Sequence, residues 1–352
     1  MRIDDAVHQV WPAFVLVSGL LLVGVAANSD ALFFRAGRLL ERLPGSPSIL
    51  LVAGMTLVTA VTAVLNLDTA VVFLTPVLVL AARHRGVDEE PFLFSAVFMA
   101  NASSLYLPGS NLTNLLVLAH DPVSGGTFAA RMFAPALTAT LATAVGLLLL
   151  FHRKLNGPTG PREIAVAEPS TGVGLAAVFA AAVLTVLLAN PAVPVLLVGL
   201  AAVGVQLARR ALGQREVVRA LGPLVLAGLF TLSVALGVLA RSWDGPAQLL
   251  NSSGRWGTAA IGALASVTIN NLPAAVLLSA RPLSHPRSLL LGLNLGPNLA
   301  VTGSLSAYLW LKAARQVGQR PSLVAFTTRG ALLAPLAIVM ALAAATLLAV
   351  PR

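Results

Sequence analysis

Two segments long enough to cross a bilayer, 91–119 and 288–311, turn polar at their centres. The first carries Asn101, Ser103 and Ser104 and then Pro108-Gly109-Ser110-Asn111-Leu112-Thr113-Asn114. The second carries Asn294-Leu295-Gly296-Pro297-Asn298, followed by Thr302-Gly303-Ser304. Proline removes a backbone donor and glycine adds conformational freedom, so each pairing interrupts a helix. At membrane depth the freed backbone groups are tolerated only where protein buries them or where they line a cavity. Either the fold encloses both interruptions, or each is a proline-kinked helix whose Asn and Ser side chains bond its neighbours.

The membrane setting follows from composition. Hydrophobic residues make up 57% of the chain, charged ones 10%, and the mean hydropathy is +0.87, whereas a soluble domain carries about 25% charged residues. The net charge of +10 does not point to nucleic acid, because no basic run is interleaved with aromatics and the cations sit in short loops. With no cysteine there is no disulfide, thiolate metal site or thiol redox chemistry. Arg2 followed by Asp4 and Asp5 is unlike a signal peptide, although Val25-Ala26-Ala27 resembles a cleavage site.

Apolar spans are expected at 11–27, 132–151, 171–189, 193–208, 222–240 and 330–350. Between the first two lie apolar arms at 49–65 and 70–82, joined by a polar knot at Asn66-Leu67-Asp68. A second pair, 257–269 and 273–280, meets at Asn270-Asn271. A spanning helix needs about 20 residues, so both pairs are expected to be re-entrant hairpins; two short spans with a tight turn would also return to one side. Arg35, Arg38 and Arg42, spaced three and four apart, place a charged face on a helix at the membrane surface.

The halves echo each other. Asn66-Leu67-Asp68-Thr69-Ala70 precedes Asn270-Asn271-Leu272-Pro273-Ala274 by 204 residues, and Pro108-Gly109-Ser110 precedes Thr302-Gly303-Ser304 by 194. The first repeat is 1–151, with a span, hairpin 48–82, broken helix 91–119 and span 129–151. A linker, 152–170, leads to the second repeat, 171–352, with three spans, hairpin 256–281, broken helix 288–312 and last span 329–350. Paired interruptions of this kind point to the site of a secondary transporter. Of 23 Lys and Arg residues, 16 fall in 28–47, 83–90, 152–170, 209–220 and 312–329. Taking these loops as cytoplasmic puts the first hairpin on the cytoplasmic side and the second on the outer side, so the repeats are inverted. Eight crossings are expected, with both termini outside.

Of 13 acids, Asp68 alone lies inside a long apolar stretch. A carboxylate at membrane depth is costly and marks an ion pathway or proton relay. The alternatives are a cap for a helix starting at Thr69 or a place in a water-exposed turn. The five histidines sit at segment ends, no zinc-type His-Glu motif is present, and intramembrane aspartyl chemistry needs a second embedded aspartate. An enzyme, a cofactor or a bound metal is therefore not expected.

At Asn66-Leu67-Asp68-Thr69 with Leu74-Thr75-Pro76, and Phe98-Met99-Ala100-Asn101 leading to Ser110-Asn111-Leu112-Thr113-Asn114, the sequence resembles the ArsB-type arsenite permeases. These belong to the ion transporter superfamily, which includes the sodium–dicarboxylate symporters. Ile269-Asn270-Asn271-Leu272-Pro273-Ala274, Asn294-Leu295-Gly296-Pro297-Asn298 and Thr302-Gly303-Ser304-Leu305 carry the resemblance in the second half. It covers the chain from about residue 11 onward and implies an all-α polytopic, elevator-type fold of two inverted repeats. Where the superfamily has Ser-Asn-Thr at its hairpin tips, this chain reads Leu67-Asp68-Thr69 and Asn270-Asn271-Leu272, which suits protons rather than sodium. The chain is also N-terminally short by two spans relative to those permeases, the counterparts of 171–189 and 193–208. The resemblance implies efflux of arsenite or antimonite as the neutral trihydroxide across a bacterial inner membrane. Ser110, Asn111, Thr113, Asn114, Asn270, Asn271, Asn298, Thr302 and Ser304 would contact substrate. Asp68 would carry the proton, and Asn66 and Thr69 would form the hairpin tip. A second copy of the chain and an arsenite-stimulated ATPase are candidate protein partners; nucleic acid is not. The absence of Lys and Arg from both tips and both breaks disfavours a dicarboxylate, the alternative cargo of the same fold.

Overall fold

The computed structural model describes residues 2–121, 123–156 and 172–347. Among them secondary structure is entirely helical. The helices are α1 (Arg2–Ser29), α2 (Leu32–Arg42), α3 (Pro47–Val64), α4 (Leu67–His84), α5 (Glu90–Ser103), α6 (Leu112–Val117), α7 (Gly125–Leu150), α8 (Val173–Leu187) and α9 (Ala192–Ala208). They continue with α10 (Gln214–Leu221), α11 (Pro223–Ser242), α12 (Gly245–Asn251), α13 (Arg255–Ile269), α14 (Asn271–Leu278), α15 (Pro286–Leu295), α16 (Leu305–Gln316) and α17 (Leu323–Leu347). Most of the linker 152–170 lies outside the described residues. The order helix pair, broken helix, long helix occurs twice, as α3 to α7 and as α13 to α17.

Both expected helix pairs form. Arg85, just past α4, donates to the carbonyls of Leu43 at 2.6 Å and Gly45 at 3.0 Å, just before α3, so the first pair returns to the end it started from. Its arms are 18 residues each, longer than the apolar runs suggest, because the polar knot is absorbed into the first turn of α4. At 1.5 Å per residue each arm is about 27 Å long. By length and composition α3 and α4 qualify as spans alongside α1, α7, α10–α11 and α17. The second pair is shorter: α14 has 8 residues, about 12 Å, well under a bilayer. The other apolar helices, α8 and α9, are of 15 and 17 residues.

Small residues set how closely α15 and the second break pack against α13 of the second pair. Gly296 lies so near α13 that a Cβ there would sit 2.5 Å from the Ser266 hydroxyl and 2.6 Å from Ala263 Cα. A Cβ on Gly292 would overlap the Ala259 carbonyl oxygen. Backbone cannot yield as a flexible side chain does, so Gly292→Ala is expected to cost about 1–3 kcal/mol or more. A thermal midpoint in detergent equal to that of the unaltered protein would show that α13 and α15 can separate.

Polar contacts gather the loops into two groups. At one end Arg83 pairs with Glu89 at 2.7 Å and reaches the Val317 carbonyl at 2.8 Å. Lys154 pairs with Asp88 at 3.0 Å and with Glu90, and Arg329 also pairs with Glu90. The Glu90 hydrogen bond, opposed by partial burial and supported by Asp88, holds the Lys154 ammonium above the usual lysine range. Elsewhere Gln9, at the start of α1, donates to the Leu116 and Ser279 carbonyls and accepts from Arg241 at 2.8 Å. The loops that meet around Glu89 and Glu90 are among those whose charge suggests the cytoplasm.

The charged face of α2 is arranged differently from the sequence expectation. Arg42 is exposed, but Arg38 is buried, 3.2 Å from the buried Glu41 and 5.7 Å from the Phe34 ring. Glu41 in turn lies 2.8 Å from His84 Nδ1. Helix α2 therefore packs on the end of α4, with Gly37 against Val77, instead of presenting all three arginines to headgroups.

Candidate functional site

Each break is built from a helix end, short 3-10 turns and a new helix start. Helix α5 stops at Ser103; Pro108–Ser110 forms a 3-10 turn; and Asn111, in extended backbone, caps α6 by accepting from Thr113 N at 3.1 Å. Helix α15 stops at Leu295, two 3-10 turns follow at Gly296–Leu299 and Val301–Gly303, and Ser304 caps α16 by accepting from Ala307 N at 3.3 Å. Capping explains why these residues are Asn and Ser, since each satisfies a backbone donor that the interruption leaves free.

The hairpin tips are tied to the breaks of their own halves. Ser110 donates to the Ala63 carbonyl at 3.0 Å, near the end of α3. Thr302 donates to the Val267 carbonyl at 2.9 Å, near the end of α13. Ala63 and Val267 stand 204 residues apart, the same offset that relates the two tips. Asn270, at φ 76°, caps its own helix by accepting from Leu272 N at 3.3 Å and donates to the Thr302 carbonyl at 3.1 Å.

The two breaks are also joined to each other. Asn101 donates to Asn298 Oδ1 at 2.8 Å, and Ser104 donates to Asn294 Oδ1 at 2.6 Å. Asn101 and Ser104 precede Asn294 and Asn298 by 193 and 194 residues, and each bond joins a residue near the first break to one near the second. Asn294 also accepts from Asn111 Nδ2 at 2.6 Å and donates to Asn114 Oδ1 at 2.9 Å and to the Leu290 carbonyl at 2.8 Å. Asn114 donates to the Ser104 carbonyl at 2.7 Å. All six side chains are buried. Gly330 of α17 closes over the Asn298 carbonyl, where no Cβ would fit.

Of the residues expected to contact substrate, Asn111, Asn114 and Asn298 thus belong to this network, and Ser110 is held by Ala63. Ser304 is buried and lies 2.7 Å from the Ser306 hydroxyl. Asn271 is buried, Asn270 is half-buried and Thr302 is exposed. Sequence reading passed over Asn101, Ser104 and Asn294 as contacts; their matching places in the two halves were the available signal.

At the first tip, Asn66 and not Asp68 is the cap. Its Oδ1 accepts from Thr69 N at 2.7 Å, in a helix that begins at Leu67. Asp68 occupies the first turn, half-buried, with no ion pair or hydrogen bond among the described residues. Several polar atoms of the first tip and the first break are buried without a partner among the described residues: Thr62 Oγ1, Asn66 Nδ2 and Thr69 Oγ1 at the tip, Asn101 Oδ1 and Thr113 Oγ1 at the break. Buried groups without a partner among the described residues are unusual, and they occur also at Thr143, Ser233 and Thr258. No Lys or Arg occurs in 60–72, 98–118, 264–278 or 292–308. Arg329, beside Gly330, directs its guanidinium to Glu90 and lies 4.2 Å from the Phe94 ring and 5.0 Å from that of Phe151. No cluster of metal-ligating side chains occurs among the described residues.

A family model described as citrate transporter (CitMHS) matches residues 4–296, taking in both tips and the start of the second break. The chain belongs to the citrate transporter family. The family is described as one of transporters, and long apolar helices make the chain a multi-pass membrane protein. Within this setting it is similar to the putative arsenical pump membrane protein of Bacillus subtilis (strain 168), at 28% identity over 151 residues. That match takes in 42% of this chain and 34% of the relative, so it spans about a third of the relative's length. Among solved structures it is similar to the Alcanivorax borkumensis YdaH transporter, described as having an unusual topology. The TM-score is 0.63 at 14% identity, over 99% of this chain and 87% of that one. At that identity the likeness is one of fold, and it agrees with the expected polytopic helical transporter.

Proposed function

We propose that this member of the citrate transporter family exports arsenite or antimonite as the neutral trihydroxide, coupled to protons through Asp68. The observation that carries the reading is the set of buried, unpartnered hydroxyl and amide atoms at Thr69, Thr113, Asn66 and Asn101, with no cation in the same stretches. A neutral triol donates and accepts at each oxygen, so it can satisfy such groups without bringing a charge into a dry site. A tricarboxylate would have to be held by amides and helix ends alone, at a large desolvation cost. The arsenical-pump relative supports the first reading. The family's description favours a second, a citrate-type anion, and in that case a cation from elsewhere in the transporter would have to face the site.

The unpartnered threonines give the cleaner test. Thr69→Val and Thr113→Val remove hydroxyls that bond nothing in the protein, so folding should be unaffected or improved. Alanine at Asn111, Asn114 or Asn298 would instead damage the network and confuse binding with stability. In proteoliposomes loaded with arsenite, the double variant is expected to raise the arsenite KM by about 5- to 150-fold, the equivalent of two lost hydrogen bonds of about 0.5–1.5 kcal/mol each. Citrate transport with no arsenite transport by the unaltered protein would replace this reading with the second one.

A further inference from the structure

The corner between α9 and α10 gathers four arginines within 209–219. Arg209 and Arg210 end α9, and Arg215 and Arg219 stand one turn apart on α10. All four are exposed, and none has an ion pair or side-chain hydrogen bond among the described residues. Elsewhere Arg38, Arg83, Lys154 and Arg329 each meet a carboxylate, while Arg42, Arg153, Arg315 and Arg320 are exposed and, like the four at this corner, without an ion pair among the described residues. The only acid in 209–221, Glu216, is occupied by the Gly213 N–H at 3.1 Å, where it helps start α10.

The apolar residues of this corner divide between two surroundings. Val217, Ala220 and Leu221 pack against the main core. Val218 is 56% exposed and Leu224, at the start of α11, is 88% exposed. Gly222, at φ 55°, separates α10 from α11 within the candidate span Gln214–Ser242, and the four arginines lie on the α10 side of it. An open cavity of about 420 Å³ is lined by Arg210, the only one of the four arginines to reach it, with Leu207, Gln214 and Glu216, whose carboxylate is engaged by the Gly213 N–H. Unpaired arginines thus stand beside exposed aliphatic side chains at the end of a membrane helix.

We propose that this corner binds the headgroups of anionic phospholipids from the surrounding leaflet. Charge attracts the phosphate, and Val218 and Leu224 lie against the acyl region. Arginine's planar fork takes two phosphate oxygens at once, and since 21 of the chain's 23 cations are arginine, what sets this corner apart is four of them within 209–219 beside exposed aliphatic side chains. A general preference for cations on one side of the membrane does not require that apolar company.

The test uses the delipidated full chain in detergent, titrated with phosphatidylglycerol or phosphatidylcholine, with retained lipid counted by native mass spectrometry. The unaltered protein is expected to retain phosphatidylglycerol about tenfold more tightly, and the quadruple variant R209Q/R210Q/R215Q/R219Q is expected to lose that preference. The quadruple lysine variant should retain part of it. A variant with Arg255, Arg281 and Arg287 changed to Gln should behave as the unaltered protein. Equal retention of the two lipids by the unaltered protein, or an undiminished preference in the quadruple Gln variant, overturns the proposal. So does displacement of phosphatidylglycerol by an equal concentration of inorganic phosphate, which would identify a site for soluble anions.

Discussion

Asp68→Asn is expected to abolish uphill, pH-driven arsenite efflux while leaving downhill exchange. A gradient of one pH unit is worth about 1.4 kcal/mol, so coupling of one proton to one substrate sustains about a tenfold concentration ratio. With a neutral substrate that ratio can arise only through a group that changes protonation during the cycle. Asp68 is the one acid inside a long apolar stretch, and no internal partner fixes its charge state. The Asn variant keeps the size of the side chain and removes its titration, so the ratio should fall to unity in proteoliposomes. Because Asn66 is the cap, folded yield should hardly change. Persistence of the tenfold ratio would leave Asp68 with the lesser task of favouring the positive end of α4.

The second large effect concerns stability. Asn294→Leu nearly conserves volume but removes the acceptor of Ser104 and Asn111 and the donor to Asn114. Ser104 keeps an alternative in the Asn101 carbonyl at 2.7 Å, whereas Asn111 Nδ2 and Asn114 Oδ1 are left buried with nothing to bond. At about 1–3 kcal/mol for each orphaned group the loss is about 2–6 kcal/mol. Thermal unfolding in detergent should show it, and because Asn111→Leu removes the orphaned Nδ2 together with the cap of α6, the double variant is expected to lose less than the sum of the two single variants. A melting temperature indifferent to Asn294→Leu would mean that water enters the clasp and replaces the lost bonds.

Both breaks were legible in the sequence because Pro108-Gly109 and Gly296-Pro297 act locally, on the one or two turns around them. The hairpin arms were less so. Asn66-Leu67-Asp68 looks like a loop by polarity, yet an Asn cap starts a helix at once, and the polar residues become its first turn. The inward turn of Arg38 escaped notice because helical spacing says which residues share a face, not whether that face meets water or Glu41. Nor could local pattern pair Asn101 with Asn298 across 197 residues. Only the fold brings those amides together, although their matching positions in the two halves hinted at it.

The clasp between the breaks has a consequence for biogenesis. Ser104 and Asn294 are separated by 190 residues, and a ribosome adding about 5–20 residues per second needs roughly 10–40 seconds to supply the second after the first. Throughout that interval the amides of Asn111 and Asn114 and the hydroxyl of Ser104 are inside the nascent first half without their final partner. The early half must therefore wait in the translocon, or with water still in the gap, until the later half arrives to close it.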